Sequence, residues 1–521
     1  MDIHRIIQSQ FSTLQLCWIF CAFGFAIFSI VLFLKDRQGM SILFLFIAGL
    51  ILRLVVAGLD PFLWTWDEQY HALVARNMMT HPFKPMLVSN PLLEYDFRNW
   101  QANHVWVHKQ PFFLWQIALF FRMFGTSEFV LRLPTAIMMS LMIPLIWRTG
   151  RLTSTAATAW YAAFLYTFTY YFVQIASGSI ATDHNDSAFI FFVGLSIWAW
   201  AEYTSSKGRR WLLLIGLFAG IAVLNKWVAG LLVYSGWLMA ILVASPGKEW
   251  LPALKAMAIS VGVTLLAVLP WELFILHAYP AESRFELLGY SRHVLETLEH
   301  NGGNSHFYFD RLEMQYGGIL ATFLIVPGLF ILFRSMKNRT HRVGLITCLA
   351  GTYLFFSFIP TKMDMFCLIV CPVIFLGLGA LIDWLAGQLR QRVAARAVFW
   401  ILFFLLGFLA WDTLNINKID VLHSDKFEHW KFRNLEAIID RQAIAKLPSK
   451  DYVVFNCSGN NAIMFMFYSG TTAYGNYPDP AQYRELKEKG VKIATFSDEN
   501  IPVYLKEDPA VIRIFMKPLY Y

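Results

Sequence analysis

Long runs of hydrophobic residues, separated by short polar segments, recur over most of this chain. Many runs are roughly 17–22 residues long, the length of helix that crosses about 30 Å of hydrocarbon. The pattern predicts an all-α polytopic membrane protein with about twelve transmembrane helices. The predicted spans are residues 14–34, 40–58, 131–148, 156–176, 185–203, 211–224, 228–245, 255–276, 318–334, 343–359, 365–385 and 397–412.

Three polar segments are long enough to have structures of their own. Residues 59–130 and 277–317 form long loops between predicted spans, and residues 413–521 form a polar tail. We therefore expect an additional N-terminal transmembrane helix within residues 1–39, a membrane domain over 40–412 and a C-terminal domain over the tail.

The hydrophobic period changes in the tail. Short strands are predicted at Asp451–Asn456 and Val491–Phe496, with a helix at Pro480–Lys489 that Gly490 ends. Ala462–Ser469 is a further apolar run. The strand–helix–strand order is typical of a small α/β domain.

The composition agrees with a membrane protein, because 57% of the residues are hydrophobic and only 15% are charged. Soluble proteins carry about 25% charged residues. The formal net charge of +8 is spread over short clusters between the apolar runs. No basic domain with interleaved aromatic residues occurs in the sequence, so nucleic acid is not an expected partner.

The positions of lysine and arginine predict the orientation in the membrane. Cytoplasmic loops are enriched in these residues, so the six short alternate loops in which they cluster should face the cytoplasm. The loop 59–130, the loop 277–317 and the tail then lie outside the cytoplasm. The basic residues of the six alternate loops are Lys35, Arg37, Arg148, Arg151, Lys207, Arg209, Arg210, Lys248, Lys255, Arg334, Lys337, Arg339, Arg342, Arg390, Arg392 and Arg396.

Two adjacent acids, Asp67 and Glu68, follow a predicted span directly. One interpretation is structural, because Thr65-x-x-Glu68 matches a capping box and acids favour the first turn of a helix. The other is catalytic, because a carboxylate at a membrane edge can have a raised pKa and act as a general base. The spacing alone leaves both interpretations open.

A basic motif, His108-Lys109-Gln110-Pro111, lies in the same loop. Pro111 should begin a helix, which places Lys109 just ahead of backbone N–H groups that favour an anion. A lysine that only anchors the loop at the membrane interface is the alternative.

Further polar residues lie near the predicted outer ends of spans. Asp183 either caps the next helix or is an acid that functions at membrane depth. Lys226 and Lys362 lie where the orientation rule disfavours lysine, so each either binds an anionic headgroup or anchors the interface. His300 and His306 lie in a glycine-containing loop without a spacing typical of zinc ligands.

Taken together, the chain resembles the GT-C glycosyltransferases that use polyprenyl-phosphate sugars. Within them it resembles the bacterial branch related to protein O-mannosyltransferases and to the lipid A aminoarabinose transferase. The resemblance covers residues 40–385 and departs from the family at Gln110, where the family usually has proline, and at the extra span 14–34. Its motifs are Trp66-Asp67-Glu68 with Tyr70, His108–Pro111, Phe129–Pro134, Thr182-Asp183, Asn225–Gly230, His300–Tyr308 and Pro360–Met363.

The resemblance implies an inverting transfer of a sugar from undecaprenyl phosphate to a hydroxyl of a lipid, glycan or protein acceptor. It also implies a bacterial inner membrane, an active site on the periplasmic side, and no cofactor beyond at most a weak dependence on a divalent metal. Asp67 would be the general base and Glu68 would support it. Basic residues would bind the donor phosphate: Lys109, Arg132, Lys226 and Lys362. The cavity or the acceptor would be contacted by Tyr70, His108, Asp183, His300 and His306.

Three other functions are compatible with a multispan protein. A transporter or lipid flippase predicts inverted repeats with matching broken helices, which the sequence does not display. A non-catalytic membrane scaffold whose tail binds a partner predicts that Asp67→Asn has no effect. A polymerase or ligase that uses a lipid diphosphate would need more cationic contacts.

Overall fold

The computed structural model describes residues 11–180, 183–226, 228–298, 301–457 and 461–515. The chain divides into two compact units. The membrane unit holds the chain up to Leu59 together with Arg132–Ala278 and Leu287–Asp420. The loop-and-tail unit combines Asp60–Leu131, Tyr279–Glu286 and the chain from Val421 onward.

The membrane unit is built of helices, and every predicted span coincides with helical residues. Turns of 3-10 helix occur at Ile175–Ser177, Val228–Leu231, Gly247–Glu249 and Phe366–Val370. The α-helices that lie wholly or partly in this unit are Thr13–Leu34, Gln38–Ala57, Glu128–Thr153, Ala156–Phe168, Tyr170–Gln174, Asp183–Ser206, Arg209–Val223, Leu232–Ala244, Trp250–Ala278, Pro280–Leu295, Phe307–Asp310, Leu312–Tyr316, Ile319–Ser335, Arg339–Phe358, Cys371–Arg392, Ala395–Leu414 and Ile416–Leu422.

The predicted number of spans is not confirmed. Among the described residues, 6 helices are long and apolar enough to cross a membrane, and a seventh is obtained if the pair Phe307–Tyr316 and Ile319–Ser335, bent by 107°, is one span. Other predicted spans are interrupted or short: the helix after Ala156 breaks at Thr169, and Arg209–Val223 has 15 residues. Twelve spans therefore stay a prediction.

Glycine allows three helices of the membrane unit to pack closely. A Cβ atom on Gly236 would lie 2.5 Å from Cys348 Sγ and 2.7 Å from the Gly344 carbonyl oxygen. A Cβ atom on Gly344 would lie 2.2 Å from the Trp200 ring. Small residues at such crossings let helix backbones approach each other, which is how helices associate in membranes.

The loop-and-tail unit has an α/β arrangement. Its sheet contains β1 (Tyr452–Phe455), β2 (Lys492–Phe496) and β3 (Ile512–Ile514), which pair in parallel in the order β1–β2–β3. The helices that lie wholly in this unit are Asp67–Met78, Phe112–Phe124, Glu428–Ile444, Asn461–Ser469, Pro480–Glu488 and Val503–Lys506.

The secondary structure predicted for the tail is confirmed. The two predicted strands are β1 and β2, and the predicted helix between them is Pro480–Glu488. Asp479 caps that helix by accepting hydrogen bonds from Ala481 N and Gln482 N, at 2.8 Å each. The apolar run Ala462–Ser469 belongs to a helix, and β3 was not predicted.

The first loop and the tail share a hydrophobic core. Leu92 and Leu93 pack against the buried side of the sheet. Their backbone N–H groups donate to the Tyr474 hydroxyl, at 3.0 and 3.2 Å. The buried residues of this core are Val453, Phe455, Leu486, Ile493, Leu505 and Val511. The tail therefore supports the loop that carries the acidic and basic motifs.

Candidate functional site

The helix Asp67–Met78 begins at the predicted base. Asp67 and Glu68 are both buried, at 7% and 2% exposure. The preceding residue, Trp66, has a backbone φ of 64°, although it is not glycine. Such a conformation is strained for a bulky side chain, and strain of this kind is concentrated at functional sites.

Glu68 has a positioning contact rather than the predicted capping box. Its Oε2 accepts a hydrogen bond from Trp64 N at 2.6 Å. The N-cap residue of this helix is Trp66, and no side-chain capping hydrogen bond is made there among the described residues. The interpretation of Thr65 and Glu68 as a capping box is therefore wrong, because the Glu68 carboxylate binds the backbone N–H of Trp64, which lies before the helix.

Asp60 organises the segment that leads to Asp67. Its Oδ2 accepts hydrogen bonds from Trp64 Nε1 at 2.7 Å and from His423 Nδ1 at 2.6 Å, and its Oδ1 accepts one from Trp430 Nε1 at 2.7 Å. The Asp60 side chain is fully buried. No local sequence motif marks this cluster, because two of its members come from the distant tail.

Lys109 faces Asp67. Its Nζ lies 3.9 Å from Asp67 Oδ2, and both side chains are largely buried. The separation exceeds a direct hydrogen bond but allows strong electrostatic interaction. The helix Phe112–Phe124 begins just after Pro111, as predicted. The local motif thus brings the predicted cation to the predicted base.

His108 is held from three sides. Its ring stacks on Trp100 with a centroid separation of 4.6 Å and lies at a steep angle to Trp106 at 5.7 Å. Its Nδ1 lies 3.0 Å from Glu286 Oε2. Glu286 belongs to the second long loop and was missed by sequence reasoning, because it has no motif of its own.

Tyr70 forms part of the wall beside these groups. It is fully buried, and its ring packs against Trp100 and Trp106 at centroid separations of 5.1 and 6.1 Å. Burial, together with the nearby Asp67 carboxylate, raises the pKa of the Tyr70 phenol. Tyr70 therefore stays protonated at neutral pH.

Two of the predicted phosphate ligands contact backbone carbonyl oxygens of the membrane unit. Arg132 is fully buried, and its Nη1 donates to Ala57 O at 3.3 Å. Lys362 Nζ donates to Phe356 O and Ser357 O at 2.7 Å each. Their role in binding phosphate stays a prediction.

Lys226, in the same unit, pairs with an acid that was not singled out. Its Nζ donates to Asp186 Oδ1, and it lies 4.9 Å from the centroid of the Phe366 ring. Both side chains of the ion pair are buried. In the sequence, the signal for Asp186 is the polar stretch from Asp183 to Asp186, in which the predicted site residue was the first acid, Asp183.

The three remaining predicted site residues are Asp183, His306 and His300. Asp183 is the first residue of the helix Asp183–Ser206. His306 is exposed, and its Nε2 lies 3.8 Å from Asp310 Oδ2. His300 lies outside the described residues. Within the described ranges, no three or more His, Cys, Asp or Glu side chains are grouped to hold a metal ion.

The chain is similar to proteins that handle lipid-linked sugars. Residues 108–274 match a family model described as dolichyl-phosphate-mannose-protein mannosyltransferase. The chain is 32% identical over 183 residues to the undecaprenyl phosphate-alpha-4-amino-4-deoxy-L-arabinose arabinosyl transferase of Pseudomonas paraeruginosa. That alignment covers 32% of this chain and 30% of the relative's length.

Two further likenesses extend over most of the chain. An uncharacterised protein of Aquifex aeolicus is 23% identical over 447 residues, which is 84% of this chain and 79% of the relative. The crystal structure of ArnT from Cupriavidus metallidurans bound to undecaprenyl phosphate superposes with a TM-score of 0.60 at 16% identity, covering 85% of this chain and 87% of that one. The superposition on this ArnT structure shows a shared fold.

Proposed function

We propose that this chain transfers a sugar from a polyprenyl phosphate to an acceptor hydroxyl. It belongs to the GT-C glycosyltransferases of the protein O-mannosyltransferase and aminoarabinose transferase group. The donor lipid is undecaprenyl phosphate or a close polyprenyl relative. The reaction takes place on the extracytoplasmic face of a bacterial inner membrane. The acceptor is a hydroxyl of a lipid, a glycan or a protein.

The observation that carries the proposal is the separation of 3.9 Å between Lys109 Nζ and Asp67 Oδ2. A transferase of this kind needs a base for the acceptor proton and a cation for the departing phosphate. Asp67 and Lys109 supply the two charges from one loop. Because they do not form a short hydrogen bond, each can engage a different substrate group.

The chemistry is a single displacement. The acceptor oxygen forms a bond to the anomeric carbon as its proton passes to Asp67. The bond between that carbon and the phosphate oxygen breaks, and the lipid phosphate leaves with the electron pair. Attack on the face opposite the leaving group inverts the configuration of the anomeric carbon.

Lys109 stabilises the charge that develops on the departing phosphate. A preorganised donor in a water-excluded site is worth about 3 kcal/mol in the transition state. Lys226, Lys362 and Arg132 are proposed to extend the binding of the lipid phosphate. Glu68 holds the turn that precedes Asp67 through its bond to Trp64 N, and so orients the base.

The extracytoplasmic location rests on charge distribution. Lysine and arginine cluster in the six short alternate loops that are predicted to face the cytoplasm, whereas the loop carrying Asp67 is long and mixed in charge. A polyprenyl phosphate reaches such a site laterally through the bilayer. The acceptor reaches it from the aqueous side, and no nucleotide sugar is required.

The test uses the full chain in lipid nanodiscs with a membrane extract as acceptor. Undecaprenyl phosphate carrying radiolabelled mannose or radiolabelled 4-amino-4-deoxy-L-arabinose serves as donor. We expect label to move from one of these donors to the extract, and Asp67→Asn to reduce the rate roughly 10²–10⁴-fold. Asp96→Asn is the matched control, because Asp96 is an exposed acid of the same loop.

Two results would count against the proposal. Folded wild-type protein that transfers neither label would favour transport or scaffolding. An active Asp67→Asn variant would remove Asp67 as the base and direct attention to Glu68 or Asp183. NMR analysis of the product's anomeric configuration tests inversion separately.

A further inference from the structure

The helix Pro280–Leu295 presents two acids to the first loop. Glu282 and Glu286 are four residues apart and therefore lie on the same face of the helix. The Tyr95 hydroxyl donates a hydrogen bond to Glu282 Oε1. His108 Nδ1 lies 3.0 Å from Glu286 Oε2. The second long loop thus contributes directly to the surroundings of the basic motif.

Glu286 is placed with precision by its neighbours. Phe285 packs edge-on against Phe97 with a centroid separation of 6.0 Å. Glu286 itself is only 7% exposed. Its carboxylate is therefore held in a largely water-free position, where hydrogen bonds to a charged group are strong.

The two oxygens of Glu286 have different surroundings. Oε2 is paired with His108, whereas Oε1 is buried and has no hydrogen-bond partner among the residues that the structure describes. A buried carboxylate oxygen that lacks a donor costs free energy. A ligand that brings an O–H or N–H group to Oε1 recovers that cost.

The contact with His108 places Glu286 beside the motif that carries Lys109. His108 directly precedes Lys109, whose Nζ lies 3.9 Å from Asp67 Oδ2. A carboxylate repels phosphate and selects hydrogen-bond donors. The lipid phosphate therefore belongs at Lys109, and the donor groups of the attached sugar are the part of the substrate that suits Glu286.

We propose that Glu286 is a residue that recognises the transferred sugar. Its Oε2 holds the His108 ring, and its Oε1 accepts a hydrogen bond from a hydroxyl or ammonium group of the sugar. This inference rests on the proposed function and assigns the sugar-recognising group of that site. Glu282, which bonds to Tyr95, has a structural role.

Binding to the full chain in nanodiscs tests the inference. Three lipids are compared: undecaprenyl phosphate without a sugar, the same lipid carrying mannose, and the same lipid carrying 4-amino-4-deoxy-L-arabinose. We expect Glu286→Gln and Glu286→Ala to weaken binding of the preferred sugar-bearing lipid roughly tenfold or more. Binding of the sugar-free lipid should change little. Glu282→Gln, on the same helix face, is the matched control.

The comparison of the two sugar-bearing lipids identifies the chemical group of the sugar that binds Glu286. A larger loss for the amino sugar than for mannose identifies an ammonium partner, and equal losses identify a hydroxyl. The KM for the preferred donor should rise more than kcat falls, because the contact is made in the bound substrate.

Contrary results fall into two kinds. If wild type prefers a sugar-bearing lipid and the Glu286 variants keep that preference, or lose affinity for all three lipids equally, the inference is overturned and the proposed function stands. If folded wild type binds none of the lipids, the proposed function fails and the inference fails with it.

Discussion

His423 Nδ1 lies 2.6 Å from Asp60 Oδ2, although the two residues are 363 positions apart in the chain. Both side chains are almost completely buried. The contact joins the tail to the segment that ends at Asp67. The tail therefore has a direct structural connection with the proposed base.

Substitution of Asp60 should destabilise the loop-and-tail unit. Asp60→Asn removes the charge that three donors share and places an N–H group opposite one of them. A buried polar group that loses its hydrogen-bond partner typically costs about 1–3 kcal/mol. We expect a lower midpoint of thermal unfolding and earlier proteolysis of the tail in detergent. Asp425→Asn, at an exposed acid nearby, is the control, and equal midpoints for the two variants would contradict the role of Asp60.

Loss of Lys109 should slow the reaction rather than unfold the protein. Lys109→Ala removes the cation beside the departing phosphate, and a donor of this type is worth about 3 kcal/mol, or roughly a hundredfold in kcat. The measurement is the single-turnover rate with saturating lipid donor. Lys84→Ala, at an exposed lysine of the same loop, should keep the wild-type rate. A Lys109→Ala variant with an unchanged rate would exclude phosphate stabilisation by Lys109.

The Lys226–Asp186 pair allows structure and function to be separated. Asp186→Asn leaves a buried ammonium without its charged partner and should lower stability by about 3–5 kcal/mol. The double variant Asp186→Asn with Lys226→Met should regain most of that stability. If Lys226 binds the lipid phosphate, the double variant should still bind undecaprenyl phosphate more weakly than wild type. Wild-type affinity in the stable double variant would restrict Lys226 to a structural role.

Asp440 should make the stability of the tail depend on pH. It is fully buried, and burial raises the pKa of its carboxyl to about 8, with the charge of Glu436 adding to the effect and the hydrogen bond from Asn461 opposing it. In the unfolded chain the pKa is about 3.9. Between these values the folded protein holds a proton that the unfolded chain releases, so stability falls as pH rises.

The variant Asp440→Asn removes this proton linkage. The difference between the unfolding midpoint of Asp440→Asn and that of wild type should therefore shift in favour of the variant as the pH is raised from about 5 to about 8. The comparison is made by thermal unfolding over this range. Asp451→Asn, at an exposed acid of the same tail, should follow wild type at each pH. A constant difference between Asp440→Asn and wild type would show that the Asp440 carboxyl does not titrate in this range.

Local signals in the sequence predicted the elements that depend on neighbouring residues. Pro111 predicted the start of the helix Phe112–Phe124, because proline is favoured at the beginning of a helix and lacks an N–H group. The period-2 and period-3.6 patterns of the tail predicted β1, β2 and the helix between them. These features need no information about the rest of the fold.

Local signals failed where a distant partner competes. Thr65 and Glu68 have the spacing of a capping box, yet Glu68 binds Trp64 N and the helix begins after a strained Trp66. The tail holds the preceding segment through Asp60, so tertiary contacts decide the backbone conformation there. The twelve predicted spans are not confirmed for a related reason, because a helix break such as the one at Thr169 does not interrupt an apolar run in the sequence.

The sequence by itself determined that the chain is a helical membrane protein and that an acidic pair and a lysine share one polar loop. It also determined the α/β character of the tail, because hydrophobic period and turn residues act over short distances. Only the tertiary structure decided that Lys109 faces Asp67, that Glu286 holds His108 and that Asp60 binds His423. Those contacts join residues far apart in the chain, and their geometry depends on how the loops and the tail pack around one core.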